Sequence, residues 1–339
     1  MAIKQGSYTF VLPTRPAIVG SAAVVGSKEG QGPLGTEFDY VFDDVTLGED
    51  SWEKAESALH REAVTRALAK AEKTPSQVDM IFSGDLLNQC VGTTFSIREL
   101  NIPFTGLYGA CSTMALSLAL AGLMTDGGII DTAIAATSSH FCSAEKQFRQ
   151  PLEYGGQKPP SAQWTATAAG AAIVEKGGKG VEIEAVHIGR IQDKGIKDAN
   201  NMGAAMAPAA CETIASFLED MGDTPQDYDM ILTGDLGKVG STLLLELLEL
   251  EKGIDISRVH SDCGNMIFDF ETQDVNSGGS GCGCSGAVVC SYIINRLAQK
   301  KLNRVLFVGT GALMSPVTSL QGESVPSISH AVLLTSGGQ

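Results

Sequence analysis

Apolar residues crowd one stretch of the chain without polar relief. Met114, Ala115, Leu116, Leu118, Ala119, Leu120, Ala121, Leu123 and Met124 leave no polar face, and a helix apolar all round is buried all round. The run is too short to cross a bilayer. FTGLY (104–108) ahead of it has strand character, and Gly109-Ala110 then leads into Cys111. The pattern predicts Cys111 where a strand turns into a buried helix, beside the free N–H groups and partial positive charge of a helix N-terminus. Such a place lowers a thiol pKa and suits a nucleophile or an anion site. A small core residue is the equally simple alternative.

Around this stretch, strand-like runs fall at 16–26, 78–85, 131–139, 165–175, 181–191, 228–237, 256–262, 303–312 and 330–336. Trp52, Ala55, Leu59, Ala63, Ala67, Leu68 and Ala71 recur at helical spacing, with Asp50 as cap and Glu53 at the third position. Further helices are predicted over 93–100, 204–221, 241–252 and 285–300, and irregular chain over 27–50 and 140–163.

The chain also repeats itself. TPSQVDMIFSGDL (74–86) returns as TPQDYDMILTGDL (224–236), 150 residues later. At a spacing of 173, Cys111-Ser112 aligns with Cys284-Ser285, and AIAATS (133–138) with LFVGTG (306–311). These matches imply a duplicated α/β unit, residues 1–178 and 179–339, with sheets covered on both faces and the apolar helix of each half between them. The longer spacing reflects an insertion over 263–283, a candidate lid beside the pocket.

Charge and cysteine usage narrow the classes. A net charge of −15 argues against nucleic acid and against simple attraction to anionic lipid. Met1–Gln5 is polar and 17–26 is broken by Gly and Ser, so neither an export signal nor a membrane span is predicted, and the eight cysteines are expected reduced. Cys282 and Cys284 lack the spacing of a zinc site.

The duplication, with CSTMALSLALA (111–121) opening the first buried helix, resembles the thiolase superfamily, whose motif CSxxxxAlxxA carries an acyl-accepting Cys. The resemblance implies a five-layer α-β-α-β-α fold, two mixed sheets around buried helices, and a homodimer. The departures bear on chemistry. Where thiolases carry GHPxGxSGA this chain has GGSGCGCSGA (278–287), with Ser280 at the His position. Where related acyl synthases place a His after the second strand of the C-terminal half, it has TGDLGK (233–238). Gly264-Asn265 matches those synthases' GN motif, and His330 opens the last predicted strand where thiolases place a second Cys.

YVFDDVTLGEDSWEKAES (40–57) and SSHFCSAEKQFRQPLEYGGQKPP (138–160) are similar to a sporulation branch of that superfamily in Firmicutes. That resemblance implies non-enzymatic binding of dipicolinic acid (pyridine-2,6-dicarboxylate), free or as its calcium chelate, for uptake into the forespore and release at germination. It also implies membrane channel partners from the same operon, a peripheral place at the spore inner membrane, and no cofactor beyond calcium carried with the ligand. The expected ligand-binding residues are Cys111, Ser112, His140, Lys146, Arg149, Asn265 and His330. The alternative is an active acyltransferase or condensing enzyme with Cys111 as nucleophile, His330 as base and Asn265 assisting.

Overall fold

The computed structural model describes residues 1–148 and 157–338. Ten of the strands among the described residues form the main path through its two halves. The first contributes β1 (Ala17–Val25), β2 (Met80–Gly84), β3 (Phe104–Gly106), β4 (Thr132–Ser139) and β5 (Ala168–Glu175). The second contributes β6 (Val181–Ile188), β7 (Met230–Thr233), β8 (His260–Asp262), β9 (Arg304–Ala312) and β10 (Ser327–Ser336). Within each half the strands lie in the same spatial order: first, fifth, fourth, second, third. The fifth strand runs antiparallel to both neighbours and the remaining pairs are parallel, so each sheet is mixed. The half-sheets also join: β6 pairs with β1 through Val181–Ile18 and Glu182–Ala17, which makes the hydrogen bonding continuous between them.

The main helices are α1 (Trp52–Lys70), α2 (Thr113–Asp126), α3 (Phe141–Phe148), α4 (Met202–Met221), α5 (Gly237–Leu247), α6 (Cys282–Val288, continued by further helical turns to Ala298) and α7 (Pro316–Leu320). Strand alternation sorts the side chains into layers. On β4, Ala133 and Ala135 join the central core with Met114 and Leu118 of α2, while Ile134 and Ala136 join an outer core under Leu59, Ala63 and Ala67 of α1. On β9, Phe307 faces the centre, and Leu306 and Val308 face Met206, Ala210 and Phe217 of α4. Helix α2 touches strands of both halves, α1 covers β1, β4 and β5, and α4 covers β9 and β10. The result is helix, sheet, paired helices, sheet, helix. The all-apolar face of α2 is explained by this: it has a sheet on either side.

Several expectations need correction. The cap of α1 is Ser51, whose Oγ accepts from Lys54 N, while Asp50 pairs with the Lys54 ammonium at 2.7 Å. The segment expected to be irregular after Ser139 contains α3, whose Phe141 stacks on Trp164 with ring centroids 3.9 Å apart. Phe141, Ala144 and Phe148 stand at helical spacing, but two turns are too short a window for the period to be decisive. The insertion 263–283 is no lid: Ile267, Phe268 and Val275 are buried in the central core, and Ser277 accepts the backbone N–H groups of Lys238 and Val239. His330 lies inside β10, opposite Gly309, and does not open the strand.

Backbone meets backbone where α6 crosses β5. A Cβ on Gly170 would fall 2.1 Å from the Gly286 carbonyl oxygen. Gly170→Ala is therefore expected to destabilise the fold by about 3 kcal/mol in chemical denaturation; a loss below about 1 kcal/mol would mean that α6 can shift outward.

Glu29 is buried and its carboxylate accepts the Thr167 N–H at 2.9 Å. Burial pushes this carboxyl up from 4.5 to about 7. Between those values the folded chain holds a proton the unfolded chain has released, so stability falls as pH rises. Relative to Glu29→Gln, the wild type should lose about 3 kcal/mol of unfolding free energy between pH 4 and pH 8. Parallel pH profiles for the two proteins would contradict this.

Candidate functional site

Cys111 lies on a single tight turn, Ala110–Ser112, between β3 and α2. Ala110 holds a left-handed backbone, φ 50°, and Ser112 Oγ donates to the Gly109 carbonyl at 2.7 Å. A left-handed non-glycine residue is uncommon, and here it sets the thiol in the lining of a cavity of about 420 Å³. The cavity walls come from both halves: Leu86, Asn88, Tyr108, Ala144, Phe148, Lys158, Ala162, Gln163 and Thr165 from the first, and Ala199, Asn200, Met202, Ser280 and residues 312–316 from the second. Lys158 pairs with Glu145, which also lines the cavity, at 2.6 Å.

The thiol's neighbours are an aspartate and a serine. Cys111 Sγ is 3.9 Å from Ser280 Oγ. Ser280 Oγ donates to Asp235 Oδ2 at 3.0 Å, Gly281 N donates to the same oxygen at 2.9 Å, and Thr310 Oγ1 donates to Oδ1 at 3.1 Å. Burial, and then the Asp235 carboxylate, hold the Cys111 thiol well above its ordinary pKa. This reverses the expectation of a lowered thiol pKa. Desolvation and a neighbouring negative charge both disfavour the thiolate, and they outweigh the helix N-terminus.

Asp235 has its role because the repeat diverged. Its counterpart Asp85 accepts from Leu87 N, Thr93 N and Thr93 Oγ1, within its own strand–helix turn. In the second half those turn amides go elsewhere: Leu236 N and Gly237 N donate to Asp262 at 2.8 and 3.0 Å. Asp235 is thereby released toward Ser280 and Cys111. Asp262 is itself pushed up to about 7, by burial against the pull of its donors.

Of the seven residues expected to bind ligand, the structure places Cys111 on the cavity and five others away from it. Ser112 is spent on the turn. His140 is buried, with Nε2 on the Val45 carbonyl at 2.7 Å and Nδ1 accepting Cys142 N at 3.1 Å. Lys146 reaches outward to Glu53 at 2.6 Å. Asn265 donates to Ser241 Oγ at 3.1 Å. His330 Nδ1 accepts Gly189 N at 3.3 Å, and burial pushes its pKa down to about 4. Arg149 lies outside the described residues. Among the described residues no histidine lines the cavity. Asp235 and Gln163 were missed as site residues. Asp235 lies in the repeated segment 224–236, but repetition does not distinguish it from its counterpart Asp85, and nothing in the local sequence marks Gln163.

Asp235→Asn removes the charge that opposes ionisation. Iodoacetamide should then label Cys111 roughly tenfold faster for each unit that the thiol pKa falls, read by peptide mass spectrometry near pH 8. An unchanged rate would leave burial alone responsible.

Comparison with known proteins agrees with this architecture. The family model of stage V sporulation protein AD matches residues 6–335. Stage V sporulation protein AD of Bacillus subtilis (strain 168) is 44% identical over 334 residues, 98% of each chain. Among solved structures, 3-oxoacyl-[acyl-carrier-protein] synthase III from Aquifex aeolicus VF5 superposes with a TM-score of 0.57 at 12% identity, over 94% of this chain and 99% of that one. Acetyl-CoA acetyltransferase from Syntrophomonas wolfei gives 0.58 at 13%, over 95% and 99%. At such identities these two structures speak for the fold alone. The chain belongs to the stage V sporulation protein AD family and carries a thiolase-like fold.

Proposed function

We propose that the protein binds dipicolinic acid, free or as its calcium chelate, without transforming it, and so serves uptake into the forespore and release at germination. One observation carries the non-enzymatic part: the group beside the Cys111 thiol is the Asp235 carboxylate. A cysteine nucleophile needs a thiolate, or a base within about 3 Å. Here the neighbour opposes ionisation and its oxygens already accept from Ser280, Gly281 and Thr310, and His330, the base considered from sequence, is committed to Gly189 N away from the cavity.

What remains is a binding cavity. Leu86, Phe148, Met202 and Met314 offer an apolar slot, while Asn88, Tyr108, Asn200 and Lys158 supply polar groups at its walls. A few placed polar groups in an apolar cleft are what a small planar ligand requires. Membership of a sporulation family supports the choice of ligand. The proposed partners are membrane channel proteins of the same operon. Among the described residues no helix is long and apolar enough to cross a membrane, so the place at the spore inner membrane would be held through those partners.

Calorimetric titration with dipicolinate, with and without calcium, tests the reading. The wild type should bind, and Ala144→Phe, which fills the cavity from α3, should weaken binding at least tenfold, about 1.4 kcal/mol. No binding by the wild type in either form would overturn the ligand assignment. Transfer of an acyl group from an acyl thioester to Cys111, seen by intact-mass spectrometry, would overturn the non-enzymatic one.

A further inference from the structure

Among the described residues one polar atom beside the cavity is left without a partner. Gln163 precedes the short strand Trp164–Thr165, which pairs in parallel with Gly279–Ser280. Its side chain is almost fully buried, 4% exposed, and the residue lines the cavity. Nε2 donates twice, to the carbonyls of Asp235 at 2.7 Å and Gly279 at 2.8 Å. Turning the amide over would set Oε1 against both carbonyl oxygens, so these two bonds fix its orientation. Oε1 is then a buried acceptor that meets no donor among the described residues. Buried acceptors are nearly always satisfied by protein, water or ligand.

We propose that Gln163 is a ligand-binding residue whose Oε1 accepts a hydrogen bond from the cavity's occupant, so that the cavity selects a ligand with an O–H or N–H donor at its buried end. This rests on the binding reading above and adds the form in which the ligand enters. The surroundings agree. The Asp235 carboxylate nearby already takes donors from Ser280, Gly281 and Thr310, and a second carboxylate set beside it would meet like charge. A neutral acid group avoids that repulsion and brings the donor Oε1 lacks. A free pyridine dicarboxylate, not its calcium chelate, is thus the form that binds Gln163, with its inner carboxyl protonated, the proton coming from solvent, and its outer carboxylate ionised.

A ligand pair tests this. In 6-carbamoylpyridine-2-carboxylate one carboxylate of dipicolinate is replaced by a carboxamide, a permanently neutral donor of similar shape. Near pH 7.5 the wild type should bind it about tenfold more tightly than dipicolinate. In Gln163→Met, which keeps the length of the side chain and loses the acceptor, that preference should fall below about threefold. The comparison is a ratio within each protein, so a general loss of affinity does not imitate it. An equal preference in both proteins overturns the role of Gln163 and leaves the binding reading standing. A wild type that binds neither ligand overturns both. Should Gln163→Met fail to fold, a crystal structure of the wild type with the carboxamide decides: its N–H within about 3.2 Å of Oε1 supports the proposal, and a donor placed elsewhere overturns it.

Discussion

The structure depends on how closely its central helices approach the sheets. A Cβ on Gly309 of β9 would fall 2.6 Å from the Ala115 Cβ of α2, and Gly170 lies against Gly286 of α6 at backbone distance. Interiors are packed like crystals, so removing side chains at these crossings lets a helix pair fit between two sheets. The same packing brings together the chain just ahead of each central helix. Cys111 precedes α2 and Ser280 precedes α6, and from opposite halves they meet 3.9 Å apart. The site is therefore a by-product of the layer arrangement, built where two pseudo-equivalent turns converge.

Those turns are no longer equivalent in chemistry. In the first half the aspartate of the repeated Gly-Asp-Leu closes its own turn. In the second, Asp262 takes over that task, and Asp235 becomes a buried carboxylate joining β7, β9 and the entry to α6. A buried charge persists only when well hydrogen-bonded, and its three donors come from two separate segments, Ser280-Gly281 and Thr310 of β9. Asp235 thus ties the second half together at the point where it meets Cys111. Its influence on the thiol follows from that placement.

The comparison with condensing enzymes is informative for this reason. Their fold is shared over nearly the whole chain, and in this chain Cys111 lines the cavity. The groups around it do not favour a thiolate. Binding and catalysis place different demands on such a cavity: binding needs shape and donors, whereas catalysis also needs a group that gains or loses a proton at the working pH.

Periodicity and repetition carried most of the architecture. The all-apolar run 114–124 demanded a helix covered on every side, and the matched segments at 74–86 and 224–236 demanded equivalent strand–helix turns in two halves. These are local properties of the chain, set by side-chain spacing, and they survive translation into three dimensions. Helix α3 was not legible, because its apolar partners, such as Trp164, come from elsewhere in the chain. Most of the site was not legible either. His140 and His330, singled out as reactive residue types, are held by a backbone carbonyl and backbone amides, and Asn265 donates to a hydroxyl away from the cavity lining. Gln163, which carried no signal, lines the cavity instead, and Asp235 is buried behind its Ser280 wall. The sequence by itself determined that a cysteine would precede a buried helix in a duplicated α/β chain. Only the tertiary structure decided the protonation of that cysteine, because a pKa depends on burial and on charges brought close by packing, and Asp235 is distant in the chain.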